Sequence, residues 1–147
     1  MTSNPVFHFF NTPGNLGPTI LRLAVSAFFL YHGAQKAFGW FGGSGWNATV
    51  ESWAETFGLP VVLSGVVIVG ELLVFGSLFF GLFTRLGGLG VTLIMIGALV
   101  LTGRGAAFVD LQVPLLLLAS GLALFCLGGG LVSLDRAVSR NLLPVVG

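Results

Sequence analysis

Four long apolar runs, one of them holding a carboxylate at its centre, constrain this chain more than any other feature. They cover residues 19–38, 60–83, 86–103 and 111–131. A bilayer core about 30 Å thick is crossed by about 20 apolar residues in helical form. Inside lipid no water is present to satisfy backbone N–H and C=O groups, so such runs become helices rather than loops. The expectation is an all-α protein, a four-transmembrane-helix bundle. Composition agrees: 7% of the 147 residues are charged, 55% are hydrophobic and the mean hydropathy is +1.01. That is too little charge to cover a soluble domain.

The first run has no Lys or Arg before it and no small-x-small cleavage site after it, so it reads as a retained span rather than a signal peptide. Residues 1–18, aromatic and broken by three prolines, read as a segment lying along a membrane surface or a partner, with His8 a surface residue. The net charge of +1 and the lack of a basic patch exclude a nucleic-acid partner. The single cysteine, Cys126, excludes an internal disulfide and a cysteine-built metal site.

The links differ in kind. "FTRLGG" around Arg85 and "TGRGAAFVD" around Arg104 are short, so the second, third and fourth helices are expected to pack in order as antiparallel neighbours. The link over 39–59 is longer. After a glycine-rich turn, Trp46, Val50, Trp53 and Phe57 recur at helical spacing, with Glu51 and Glu55 on the other side. This predicts an interfacial amphipathic helix over about 46–57, with Trp40, Trp46 and Trp53 as anchors at headgroup depth. Residues 132–147 are expected to hold a short helix that Ser133 caps, with Asp135 at its N-terminus and a tail beyond. Arg136 and Arg140, one turn apart, can meet anionic headgroups.

With four spans, Arg22, Arg85, Arg136 and Arg140 share one side, and Lys36 and Arg104 the other. The positive-inside rule then puts both termini in the cytoplasm. Arg22, Arg85, Asp135 and Arg136 are expected to be structural or anchoring at that inner face, with Arg85 in reach of Asp135. Asp110 reads as the N-terminal charge of the fourth helix, with Pro114 in its first turn.

Glu71 lies eleven residues from Pro60 and twelve from Phe83, near mid-depth. A charge there is expensive, so it turns to the bundle interior and needs partners. In "YHGAQKAFGW", His32 and Lys36 are four residues apart and Gln35 is beside them. The expectation is one intramembrane polar cluster of His32, Gln35, Lys36 and Glu71. Three roles stay open for it: helix–helix glue, a site for a proton, quinone head or small polar ligand, or contact with another subunit. A haem or chlorophyll ligand at His32 is disfavoured, and a bis-histidine haem is ruled against because the only other histidine, His8, is outside the spans. No phosphate loop, nucleophile elbow, metal quartet or dinucleotide fingerprint is present.

The order "RLAVSAFFLYHGAQKAFGW", "GLP", "GELLVFGSLFFGLFTRLGGL" and "VPLLLLASGLALFCLGGGLVSLD" resembles the DoxX-like family of small bacterial membrane proteins. The most specific parts are H-G-x-x-K in the first helix, G-E at Gly70 and Glu71, T-R ending at Arg85, and S-L-D at Ser133 to Asp135. The resemblance implies a four-helix membrane bundle in the bacterial plasma membrane. It places the family's polar residues at His32, Lys36, Glu71, Arg85 and Asp135. Some members are subunits of thiosulfate:quinone oxidoreductase, and others are linked to a superoxide dismutase and a sulfurtransferase in membrane assemblies. Two departures count against carrying the chemistry over: Gln112 stands where the family often has a glutamate, and Gly128, Gly129 and Gly130 replace a glycine-proline-glycine. The expected function is therefore a small membrane subunit of a larger redox- or quinone-linked complex, in contact with lipid and other subunits. The alternatives are a proton or small-molecule pathway centred on Glu71, and a quinone-binding subunit of the thiosulfate:quinone type.

Overall fold

The computed structural model describes residues 16–103 and 106–142. The expected surface segment up to residue 15 with His8, the link residue Arg104 and the tail 143–147 lie outside the described residues. The described residues form six α-helices and one 3-10 turn, with no strand. The helices are α1 (Gly17–Phe38), α2 (Gly45–Phe57), α3 (Val61–Phe80), α4 (Thr84–Thr102), α5 (Phe108–Leu127) and α6 (Leu134–Leu142), and the turn is Trp40–Gly42.

Helices α3, α4 and α5 are long and apolar enough to cross a membrane, with mean hydropathies of 2.3, 1.8 and 1.9. Among the described residues, then, three helices meet that description where the sequence suggests four. α1 has the length, at 22 residues. Its apolarity is diluted by Arg22, His32, Gln35 and Lys36. The two cations among these are taken up by partners inside the chain, as the site geometry below shows.

Around the bundle the order is α1, α3, α4, α5, with α5 closing back onto α1. Arg22, in the second turn of α1, bonds carbonyls at the end of α3 and just beyond α5. Neighbours therefore run antiparallel, and the molecule has an Arg22 end and a Lys36 end. Val25, Phe29, Val74, Leu78, Val91, Met95, Leu117 and Leu124 fill the interior. The outward faces are apolar too: Leu73, Leu93 and Leu116 are all well exposed. No more than 33% of any of the three apolar spans is buried within the chain. A continuous apolar surface of this kind needs lipid or protein against it.

Several ends differ from the sequence expectation, for local reasons. α3 stops at Phe80 because Gly81 takes φ 65°, a left-handed conformation that closes the helix through the Leu82 N–H on the Ser77 carbonyl at 3.0 Å. The link is thus residues 81–83 alone, and Arg85 lies in the first turn of α4 rather than in a loop. A cation there opposes the helix dipole. Its guanidinium instead donates to the Phe125 and Cys126 carbonyls at the C-terminus of α5, each at 2.8 Å, where positive charge is favoured. α5 starts at Phe108, so Pro114 falls inside the helix, and Asp110 is in the first turn with no side-chain cap bond made. α4 and α5 approach at backbone distance: a Cβ on Gly88 would stand 2.7 Å from the Gly121 carbonyl oxygen.

Candidate functional site

The polar cluster forms where α1 crosses α3. Gly33 permits the crossing, since a Cβ there would meet Leu72 at 3.1 Å and the Glu71 Cβ at 3.5 Å. One turn on, Lys36 extends its ammonium to Glu71 Oε1, an ion pair and hydrogen bond in one. The same ammonium lies 5.2 Å from the centroid of the Trp53 ring on α2, a cation–π contact. Lys36 therefore ties α1 to both α2 and α3.

Glu71 Oε2 has a different fate. It is buried and has no hydrogen-bond partner in the described residues. A buried carboxylate oxygen left in that state is costly. Beside it is a cavity of about 160 Å³. His32 and Lys36 from α1, Ala98 from α4 and Pro114 from α5 contribute to its walls, so all four bundle helices meet there. The His32 ring is held among aromatics, 4.2 Å from Phe28 and 5.2 Å from Tyr31 by centroids. The site thus presents one free acceptor, one imidazole and an otherwise apolar wall.

The structure brings His32, Lys36 and Glu71 to one cavity, and Gln35 stays beside His32 without lining it. Gln35 also donates to the Phe41 carbonyl at 3.4 Å and lines a second groove with Lys36 and Trp53. The three tryptophans also part company. Trp40 is well exposed, with Phe38 at 5.2 Å. Trp46 lies with one ring edge against Gly65 of α3, and Trp53 sits by Lys36. The wall residues Met95, Ala98, Pro114 and Leu117 gave no sequence signal as site residues. They are apolar or small, and only the fold places them opposite Glu71. Space of this size beside His32 is smaller than a porphyrin or chlorin ring. Among the described residues no three His, Cys, Asp or Glu side chains gather to hold a metal.

At the Arg22 end the polar residues do structural work. The buried Arg22 guanidinium donates to the Leu78, Phe79, Gly129 and Val132 carbonyls, two of these bonds being 2.7 and 3.0 Å. It is a staple between the end of α3 and the strap after α5, not a headgroup anchor. Asp135 is also buried. Its two oxygens accept from the Phe83 N–H at 2.6 Å and the Thr84 N–H at 2.8 Å, capping α4 from a distant part of the chain. Its own N–H donates to the Gly81 carbonyl at 2.9 Å. Ser133 accepts the Arg136 N–H at 3.3 Å and so caps α6.

The family model described as DoxX matches residues 17–104, more than half of the chain, from the start of α1 to just beyond α4. No curated protein and no solved structure matches the chain.

Proposed function

The chain belongs to the DoxX family, and from that premise we propose that it is a membrane subunit of a larger redox-linked assembly whose pocket at Glu71 receives the head of a quinol. The observation that carries this reading is Glu71, whose Oε2 is a buried acceptor with no partner among the described residues and whose side chain lines a cavity of about 160 Å³. A cavity of roughly 150 Å³ is enough to hold a benzene ring. A quinol brings a hydroxyl donor on an apolar ring, which matches one acceptor in an apolar wall, and it supplies two-electron chemistry when bound. In this arrangement Glu71 accepts the hydroxyl hydrogen bond and Lys36 fixes the carboxylate. His32 bounds the ring, and the aliphatic wall excludes water. With few polar groups elsewhere, the electron partner belongs to another subunit.

Topology follows the same premise. α1 is the fourth span: Lys36 is neutralised by Glu71, and Arg22 is satisfied by carbonyls, so neither bars it from lipid depth. The four arginines of the Arg22 end face the cytoplasm of a bacterial plasma membrane. α2 lies at the opposite interface. A proton or small-molecule pathway through Glu71 is the weaker reading. From Glu71 toward the Arg22 end the core is Val25, Phe29, Val74 and Leu78, closed by Arg22 itself.

Gentle extraction from the native membrane tests the proposal, followed by sizing, mass spectrometry and quinone assay. Migration in a large assembly with quinone at a fixed ratio is the expected result, with the quinone lost in Glu71→Leu. A lone small protein free of quinone overturns it.

A further inference from the structure

A second site, independent of the Glu71 pocket, lies at the Arg22 end. A cavity of about 460 Å³ opens there, and three arginines, Arg22, Arg136 and Arg140, contribute to its lining, which holds no carboxylate among the described residues. Arg22 offers chiefly its charge, partly offset by the nearby Asp135 carboxylate, because carbonyls take four of its five N–H groups. Arg136 differs: its Nη1 is buried without a hydrogen-bond partner among the described residues. Arg140 is exposed one turn further along α6. Among the described residues no ion pair is formed by any of the three. A buried guanidinium nitrogen left unbonded is costly, and an anion reaching it would relieve that cost.

The basic cavity does not stand alone. It shares Phe80 and Leu134 with an almost wholly apolar groove of about 640 Å³ that runs between α3 and α4 past Leu73, Gly76 and Leu86. Leu73 and Leu86 are exposed on the outward face, the face that lipid covers. A basic recess that continues into an apolar, lipid-facing groove fits a ligand with an anionic head and a hydrocarbon tail. A free phosphate would leave the groove unexplained.

We propose that this end of the bundle holds one anionic phospholipid, its phosphodiester on Arg136 and Arg140 above the Arg22 charge and one acyl chain in the α3–α4 groove. Lipid bound there would bridge α6 to the α3–α4 hairpin.

The test is lipid titration of the full chain in detergent, read by native mass spectrometry. Phosphatidylglycerol and phosphatidylcholine of the same chain length are compared, and inorganic phosphate is the competitor. Each arginine near an anionic head contributes roughly fivefold in affinity. The expected preference for phosphatidylglycerol is therefore at least about tenfold. It is expected to fall to near unity in Arg136→Gln/Arg140→Gln, and to survive excess phosphate. Because Arg140 is exposed, Arg140→Gln alone serves should the double variant not fold, and it should lose roughly fivefold. Gly76 gives a separate readout, since a Cβ there meets nothing within 4 Å. Gly76→Leu should weaken long-chain phosphatidylglycerol and leave a short-chain analogue unaffected. Equal binding of the two lipids, or a preference unchanged in the arginine variants, overturns the proposal. Displacement by phosphate alone shows a small-anion site and overturns the lipid. Long-chain binding untouched by Gly76→Leu overturns the groove.

Discussion

Lys36 and Glu71 form an ion pair whose two partners live in different surroundings: the lysine side chain is 27% exposed and the carboxylate 4%. The lysine can return to water if the pair breaks, but the glutamate cannot. Substitutions at the two positions are therefore unequal. Lys36→Met leaves an uncompensated buried charge and should cost about 3 kcal/mol, the low end for breaking a buried pair. Glu71→Leu costs less, because Lys36 can extend outward. Lys36→Met/Glu71→Leu should come back to near wild-type stability, since apolar replacement of a buried pair is often neutral. A double-mutant cycle read by unfolding in mixed micelles checks this. Additive losses would show that the two side chains do not depend on each other.

Arg22 and Asp135 lie 113 positions apart in sequence and both are buried at 3%, yet each spends its charge on backbone. Arg22→Lys should fail to rescue Arg22→Ala, because one ammonium cannot reach carbonyls spread from Leu78 to Val132 as a planar fork does. Both variants should lose about 3 kcal/mol or more. Detergent melting curves decide it, and full rescue by lysine would mean that charge alone matters.

Asp135→Asn keeps one acceptor for the two N–H groups of Phe83 and Thr84. It should cost about 1 kcal/mol, a typical value for a lost cap. Phe83 makes the cap more than routine, since its φ is 53°, rare for a bulky residue. The variant should loosen the α3–α4 turn first. Hydrogen exchange at Phe83 and Thr84 reports this, with the centre of α4 unchanged.

Between α4 and α5 the tolerance for a methyl group is set by position alone. Gly88→Ala puts a Cβ 2.7 Å from the Gly121 oxygen and should cost about 1–3 kcal/mol through overpacking. Gly97→Ala, on the same helix with nothing within 4 Å, should be neutral or stabilise by up to about 1 kcal/mol. Equal melting temperatures for the two variants would remove the close approach as a stabilising contact.

What was legible in the sequence follows the range of the interactions. Apolar length alone marks the helices, because lipid depth and helical rise fix how long a run must be. The need of Glu71 for a partner on the first helix also follows from local patterns, while the fold picks Lys36 from the residues offered there. Gln35 neighbours Lys36 in sequence, but only the fold shows that it donates to the Phe41 carbonyl and does not line the Glu71 cavity. The start of α5 was missed because Phe108 and Val109 follow a glycine-rich link and read as part of it. Arg22 and Asp135 look like surface charges in sequence. Their acceptors and donors are backbone groups more than 50 residues away, which no side-chain pattern reveals. The Gly88–Gly121 contact joins two helices and has no local spacing to betray it.

The cavity at Glu71 is open to a test that separates packing from ligand binding. If the cluster only holds α1 to α3, filling the space beside it should improve packing and change nothing else. If the space receives a ring, filling it should evict the ring while the bundle stays intact. Ala98 is the position to fill, since it lines the cavity and is not a member of the ion pair. Ala98→Leu adds about three methylene-sized groups, each worth about 0.8 kcal/mol when buried, so the fold should hold or gain stability. Glu71→Gln keeps the shape and one acceptor but removes the charge that Lys36 holds. On the quinol reading, Ala98→Leu loses quinone from the purified complex and Glu71→Gln retains part of it. Quinone content unchanged in Ala98→Leu would place the ring elsewhere and leave Glu71 as a tether between helices.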